Sequence, residues 1–270
     1  MEHEERVRFG KDLAEMLNKR HGEDLLYVGA FGSLARNEDR KDSDIDMMVV
    51  TKTKKYWPAH SNWPEFQLKD IAVGLCFKTL DELDADVGKP NFKWPYRTWR
   101  TINTLTFYDK MDLKRRYRQM IDDTPEQVFK IAAQRQIIEA FSALGKLKKN
   151  AGPGGGIADA RSAAVICICQ RLDVAVALVN RGLLPGDYGF KNLSYMEKFE
   201  KVPKDYIRLS KIIWESGSAK EICDATLELW SNVLVFAHDN GISLPSYNSI
   251  KEVPLWTWME EAQFEKSGER

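Results

Sequence analysis

The sequence predicts an α+β protein, with an N-terminal mixed-sheet domain followed by a C-terminal helical bundle. Short runs of β-branched and aromatic residues alternate with helical segments up to residue 123, and long helical patterns follow. Between them stands Asp122-Asp123-Thr124-Pro125, where Thr124 is a good helix N-cap and Pro125 suits a first helical turn. We therefore expect one domain over 1–123 and a helical domain over 124–270.

The N-terminal half reads as strands separated by helices and loops. Thr79 is expected to cap a short acidic helix, and the stretch between that helix and the last strand is a loop rich in proline and tryptophan. The predicted strands are 25–31, 45–51, 66–77 and 104–108, and the predicted helices are 6–19, a short one after the Gly32-Ser33 turn, 80–85 and 111–121.

Four long helical patterns make up the C-terminal half. The glycine-rich stretch 151–156 predicts a loop, and Gly241 predicts the C-cap of the last helix. The predicted helices are 126–149, 159–181, 205–215 and 219–240.

Composition limits the classes of function. Lys+Arg and Asp+Glu both number 40, so the net charge is zero, which argues against a strongly basic nucleic-acid-binding protein. No apolar run is long enough to predict a membrane span, and the acidic N-terminus lacks the apolar segment of a signal peptide. The four cysteines lie in apolar contexts without zinc-site spacing, so we expect free thiols in a cytoplasmic protein.

The most informative stretch joins a glycine turn to a pair of acids. Gly32-Ser33 follows the first buried strand, and Asp44 and Asp46 open the second. Residues i and i+2 of a strand share a face, so both carboxylates should point the same way beside the turn. Adjacent carboxylates repel unless a cation lies between them, and backbone N–H groups at a glycine turn suit a polyphosphate. This pattern predicts a Mg²⁺-nucleotide site.

This stretch resembles the signature of the polymerase-β-type nucleotidyltransferases: Gly-Ser, a short loop, then Asp-x-Asp on the next strand. Within that superfamily the chain is similar to the kanamycin (aminoglycoside) nucleotidyltransferases, which have the same order of α/β half and helical bundle. The further similar segments are Trp94-Pro95 through Phe107-Tyr108-Asp109, and Gly145-Lys146 followed by Asn150.

The resemblance implies an activity and an assembly. It implies Mg²⁺-dependent transfer of a nucleoside monophosphate from ATP, or another NTP, to a hydroxyl of an aminoglycoside-like small molecule, with release of pyrophosphate. It also implies a homodimer with active sites near the subunit interface, and a nucleotidyltransferase domain as the N-terminal half.

Roles for the signature residues follow from the resemblance. Gly32 and Ser33 would hold the β- and γ-phosphates, and Arg36 would pair with the triphosphate, although an ordinary turn and a solvated arginine remain open. Asp44 and Asp46 would bind one or two Mg²⁺ ions.

A third metal-binding carboxylate is expected from the neighbouring strand. Asp70 is the first candidate and Glu65 the weaker one. The alternative is that Asp70 is an ordinary charged residue at the end of a strand. Matching that strand by its end at Phe77 places Gly74 where the antibiotic-modifying enzymes have a glutamate.

The first bundle helix carries the remaining candidates. Lys146 matches a family lysine expected near the phosphates. Ser142 stands where the antibiotic-modifying enzymes carry a glutamate proposed as general base, and a serine cannot be that base at neutral pH unaided. Glu139, one turn earlier, is the candidate replacement for this base. The alternative is that Glu139 is an ordinary glutamate on the helix surface.

Losing expected carboxylates weakens the aminoglycoside assignment, because polycationic substrates favour acidic pockets. A different hydroxyl acceptor (another small molecule, a protein or an RNA end) therefore stays open. A toxin–antitoxin regulator and a nucleotide-binding module without turnover are further alternatives.

Overall fold

The computed structural model describes residues 1–55, 57–150, 156–185 and 189–246, without the side chain of residue 167. One mixed five-stranded sheet organises the N-terminal half, in the order β3-β4-β2-β1-β5. β2 and β4 pair in parallel, and every other neighbouring pair is antiparallel. The strands are β1 (Leu25–Phe31), β2 (Ile45–Thr51), β3 (Glu65–Leu68), β4 (Ile71–Thr79) and β5 (Leu105–Asp109).

Among the described residues, five α-helices accompany the sheet. The predicted cap at Thr79 is confirmed, since its side chain accepts from the Glu82 N–H while the Glu82 carboxylate accepts from the Thr79 N–H. The helices are α1 (His3–His21), α2 (Gly32–Ala35), α3 (Leu80–Gly88), α4 (Trp94–Ile102) and α5 (Leu113–Asp123).

Two predicted elements of this half were wrong. The single strand over 66–77 is a hairpin, because Lys69 takes a left-handed conformation (φ 56°) and reverses the chain between β3 and β4. The proline- and tryptophan-rich loop contains α4, which has Pro95 in its first turn and buries Trp94 and Trp99. Burial of these rings overrides their weak helix propensity.

The C-terminal half is helical, as predicted. The apolar stretch Ile157–Val179 is long enough to cross a membrane by composition, but 71% of its most apolar window is buried inside the structure, as in the core helix of a bundle. Gly241 lies two residues after the end of the Ala219–Asp239 helix and has φ +69°, a conformation that suits a glycine at a helix C-terminus. Residues 151–155 of the predicted loop lie outside the described residues. The helices are α6 (Glu126–Asn150), α7 (Ile157–Ser162) leading through a π-helical segment (Ala163–Cys169) into α8 (Gln170–Val179), α9 (Leu193–Met196), α10 (Tyr206–Glu215) and α11 (Ala219–Asp239).

The sheet is buried on both faces, and the two faces have different neighbours. Met47 and Val49 belong to a core shared with α1, whereas Met48 and Val50 belong to a core that continues into α3–α5 and the helical half. Asp46 alternates with Met47, so it lies on the face toward the helical half. The boundary between residues 123 and 124 stays a prediction.

Candidate active site

Two glycines flank the carboxylate of Asp46. Gly32 on one side has φ +72°, and a Cβ there would lie 3.4 Å from Asp46 Oδ2. On the other side, a Cβ at Gly74 would lie 3.1 Å from Asp46 Oδ1. A side chain at either glycine would therefore crowd the Asp46 carboxylate.

Strand register explains this arrangement. Asp46 pairs with Phe31 at the end of β1 and with Gly74 in β4, and Gly74 pairs with Glu65 in β3. Directly paired residues share a face, so these four positions form one row across the sheet. Gly74 therefore lies in the same row as Asp46, and its match to the glutamate of the antibiotic-modifying enzymes stays a prediction. The indole Nε1 of Trp63 lies 2.8 Å from the Cβ position at Gly74.

The glycine turn lies at the end of this row. Gly32 and Ser33 begin α2 directly after β1, so their N–H groups have no acceptor within that helix. Asp44 is exposed and immediately precedes β2. Alternation places Asp44 on the same side as Asp46, near the open end of the sheet. The structure therefore brings together the four signature residues of the sequence pattern.

A buried ion pair, missed by the sequence analysis, anchors the loop between the turn and the acid pair. The Arg6 side chain is fully buried, donates to Asp39 Oδ2 at 3.1 Å and donates to the Lys41 carbonyl at 2.9 Å. His3 Nδ1 lies 2.7 Å from Asp39 Oδ1. Burial raises the pKa of the Asp39 carboxyl, but hydrogen bonds from His3 and Arg6 outweigh it, so the net pKa is lowered.

Arg36 is held by local contacts. Its Nε donates to Glu38 Oε2 at 2.6 Å, and its guanidinium lies 5.5 Å from the ring centroid of Trp99. The contact with α4 fixes the arginine one turn beyond Gly32. Its proposed role toward a triphosphate stays a prediction.

Asp70 does not occupy the place expected of it. The residue is exposed in the β3–β4 turn rather than on a strand beside Gly74. Within the described ranges, no group of three or more His, Cys, Asp or Glu residues is arranged to hold a metal ion. Asp44 and Asp46 therefore form a pair without Asp70, and Glu65 is the acid in register with their row.

The candidates on α6 lie apart from this row. Glu139 pairs with Arg171 of α8 at 2.7 Å, while the Ser142 hydroxyl donates to the Glu139 carbonyl at 2.7 Å. Lys146 is exposed on the same helix. The described partners of Glu139 and Ser142 belong to the helical half, and the roles of Glu139 and Lys146 stay predictions.

Comparison with known proteins decides the family of the N-terminal half. The family model described as "Nucleotidyltransferase domain" matches residues 11–117, which contain both the glycine turn and the acid pair. These residues form a polymerase-β-like nucleotidyltransferase domain. In this family, divalent metals and an NTP are typical.

Two curated relatives are similar to part of this chain. Both are named aminoglycoside nucleotidyltransferase (4'), one from Staphylococcus aureus and one from a Bacillus species, and each is 27% identical over 139 residues. The match covers 52% of this chain and 53% of each relative, so the chain spans about half the length of the curated relatives it matches.

A solved structure supports the fold beyond this domain. The nucleotidyltransferase-like protein of Exiguobacterium sibiricum matches with a TM-score of 0.52 over 85% of this chain and 77% of that one. Its sequence identity is 10%, so the likeness concerns the fold alone.

Proposed function

We propose that the protein transfers a nucleoside monophosphate from an NTP, with ATP the first candidate, to a hydroxyl of a small molecule. The observation that carries this proposal is the position of the Asp46 carboxylate between Gly32 and Gly74, beside the turn at Ser33. A glycine turn and an acid pair on one side of a sheet suit a metal-bound triphosphate.

The donor set fits Mg²⁺. This ion is commonly held by one or two carboxylates together with substrate phosphates, and Asp44 and Asp46 supply two carboxylates. When bound, one or two Mg²⁺ ions would neutralise phosphate charge and lower the pKa of the acceptor hydroxyl. Gly32 and Ser33 bind the β- and γ-phosphates, Arg36 pairs with the triphosphate, and the acid pair orients the α-phosphorus.

An aminoglycoside is the first acceptor to test, because the relatives carry that activity in their names. Gly74 and Ser142 stand where the resemblance leads one to expect carboxylates, which leaves fewer acidic groups for a polycation. A different hydroxyl acceptor is therefore the second candidate. Glu139 is proposed as the general base, and Lys146 as a phosphate contact.

A homodimer accounts for the position of Glu139 and Lys146 away from Asp46. Exposed apolar side chains continue along α6 at Ile138 and Phe141, next to these two residues, and the Phe141 ring contacts Trp230 of α11. A second copy covering this surface would bury it and bring α6 near the partner's sheet. A reducing, cytoplasmic location fits the three described free thiols of Cys76, Cys169 and Cys223.

The test is transfer of label from α-³²P NTPs in the presence of Mg²⁺ to a panel of aminoglycosides. Label on an aminoglycoside that depends on Mg²⁺ and is lost in Asp46→Asn supports both transfer and acceptor. Mg²⁺-dependent NTP binding without transfer to any drug moves the acceptor to the second class. If the protein shows neither NTP binding nor transfer of label, the proposed function is contradicted.

A further inference from the structure

A cavity of about 240 Å³ adjoins Asp46 on the same face of the sheet. Phe31 and Trp63, which both lie beside Asp46 or its neighbour Gly74, form part of its wall. Helices α3 and α4 cover its far side. The other lining residues are Met48, Asn62, Cys76, Lys78, Leu83, Asp86, Arg97, Arg100 and Thr101.

The charges of this cavity are predominantly positive. Three cations, Lys78, Arg97 and Arg100, line it together with a single carboxylate, that of Asp86. This carboxylate is 12% exposed and is shared between Lys78 Nζ at 3.1 Å and Arg97 Nη1 at 2.5 Å. Burial raises the pKa of the Cys76 thiol to about 11, so the thiol adds no negative charge at neutral pH.

Arg100 contacts a residue of the row that contains Asp46. Its guanidinium lies 5.8 Å from the ring centroid of Phe31, the residue paired with Asp46. A half-buried guanidinium in a cavity favours planar anions such as phosphate or carboxylate, which it binds through two parallel hydrogen bonds.

The cavity and the glycine turn lie on opposite sides of Asp46 along the strands. The turn follows Phe31, beyond the N-terminal end of β2, because β1 and β2 are antiparallel. Met48 follows Asp46 in β2, and Cys76 and Lys78 follow Gly74 in β4, so they lie in the other direction. In-line displacement requires the attacking and leaving oxygens on opposite sides of the α-phosphorus. With pyrophosphate leaving at the turn, the acceptor belongs in the cavity.

We propose that the acceptor is a small hydroxyl compound carrying an anionic group, phosphate or carboxylate, which the cavity at Arg97 and Arg100 binds. This inference rests on the proposed nucleotidyl transfer and replaces a polycationic acceptor with an anionic one. In the reaction the acceptor oxygen forms a bond to the α-phosphorus, the bond from that phosphorus to the bridging oxygen of the β-phosphate breaks, and pyrophosphate leaves. The hydroxyl proton passes to the general base, for which Glu139 is proposed above, and from there to solvent.

The size of the cavity agrees with this acceptor. Pockets that enclose drug-sized ligands measure roughly 300–1,000 Å³, and this one measures about 240 Å³. A single sugar ring with one charged substituent is of a suitable size, whereas a multi-ring aminoglycoside would be only partly enclosed. Its ammonium groups would also face an excess of positive charge.

The experiment compares acceptors that differ mainly in charge. With α-³²P NTP and Mg²⁺, the KM is measured for glucose 6-phosphate, glucuronate, glucose, glucosamine and one aminoglycoside. The proposal predicts a KM at least tenfold lower for one of the two anions than for glucose, with glucosamine the poorest of the monosaccharides. Comparing the KM for glucose 6-phosphate with that for glucuronate shows whether the cavity prefers a phosphate or a carboxylate.

Variants then locate the effect. Arg100→Gln should raise the KM for the anionic acceptor about tenfold and leave the KM for NTP unchanged. Arg100→Lys keeps the positive charge, so its KM for the anionic acceptor should stay close to that of the wild type. Arg115→Gln is the matched control, because Arg115 is 83% exposed on α5 and does not line the cavity. A rise confined to the KM for NTP would assign the cavity to the nucleotide and overturn the proposal.

Binding measurements separate this inference from the proposed function. If no acceptor is labelled, calorimetry tests the cavity directly. It compares the binding affinities of glucose 6-phosphate and of glucuronate with that of glucose. Tighter binding of either anion, lost in Arg100→Gln, supports the cavity even though transfer has failed. Preference for glucosamine or the aminoglycoside, with turnover intact, contradicts the inference and leaves the nucleotidyltransferase proposal in place.

Discussion

The indole Nε1 of Trp63 and the Oδ1 of Asp46 lie 2.8 and 3.1 Å from the same point, the position of a Cβ at Gly74. The Trp63 ring thus fills the space beside Asp46 in which the resemblance leads one to expect a glutamate. The absence of a side chain at Gly74 and the presence of the Trp63 ring are therefore two parts of one feature.

The first prediction concerns this pair. Gly74→Ala should lower the free energy of unfolding by about 1–3 kcal/mol, since the new methyl group overlaps the indole. In a Trp63→Ala background the same change should cost little. A double-mutant cycle from urea melts gives the coupling, and additive effects would contradict the shared space.

A second prediction ranks the acids near the site. Glu65→Gln should lower kcat/KM more than Asp70→Asn, because Glu65 is in register with the row of Asp46 and Asp70 is exposed in the hairpin turn. Asp46→Asn should lower it furthest, by about 100-fold or more. Equal effects of the Glu65 and Asp70 variants would show that strand register does not decide the third acid.

The third prediction tests the turn. Gly32→Ala places a side chain at φ +72°, which costs roughly 1–2 kcal/mol, and brings its Cβ within 3.4 Å of the Asp46 carboxylate. We expect a lower melting temperature together with weaker Mg²⁺-dependent NTP binding. Gly217→Ala is the control, as nothing lies within 4 Å of its Cβ position, and it should change neither quantity.

A fourth prediction concerns pH and a buried carboxyl in the helical half. Burial raises the pKa of Asp173 to about 7, although a hydrogen bond from the Tyr206 hydroxyl at 2.6 Å acts in the opposite direction. The folded state therefore binds the proton more tightly than the unfolded state, so the free energy of unfolding should fall as pH rises from about 4 to about 7.

Asp173→Asn should remove this dependence and stabilise the protein at pH 8 by roughly 2–4 kcal/mol relative to wild type. Urea melts between pH 5 and 8 measure the slope. The exposed Asp159 on α7 supplies the matched control, and Asp159→Asn should keep the wild-type slope. An unchanged slope in Asp173→Asn would exclude this carboxyl as its source.

The fifth prediction concerns assembly. Phe141 on α6 is 62% exposed, so Phe141→Glu should weaken a homodimer at least tenfold if α6 forms the interface. Met16 on α1 is similarly exposed, at 63%, and Met16→Glu should have no such effect. Light scattering over a concentration series distinguishes monomer from dimer, and a wild-type protein that stays monomeric would contradict the proposed assembly.

The meeting of the glycine turn and the acid pair could be predicted from the sequence because it depends on local patterns. Gly32 and Asp46 lie on a turn and a strand whose patterns are short and regular, and their meeting follows from one antiparallel pairing. The β3–β4 hairpin was missed because its turn, Lys69-Asp70, lacks the glycine or asparagine that usually marks one.

Long-range contacts could not be predicted. Arg6 occupies a helix whose charged residues are expected in solvent, and only its partner Asp39, 33 positions later, explains its burial. The α4 helix was hidden by its aromatic and proline content, although Pro95 in its first turn was an available signal.

The attachment of Asp39 to Arg6 and His3 has a practical consequence for handling the protein. The loop carrying Asp44 is fastened to the first turns of α1, so a purification tag or truncation at the N-terminus acts within a few residues of that fastening. Preparations that differ only in their N-terminal extension are therefore expected to differ in specific activity, and a tag on the opposite end is the safer choice for kinetic work.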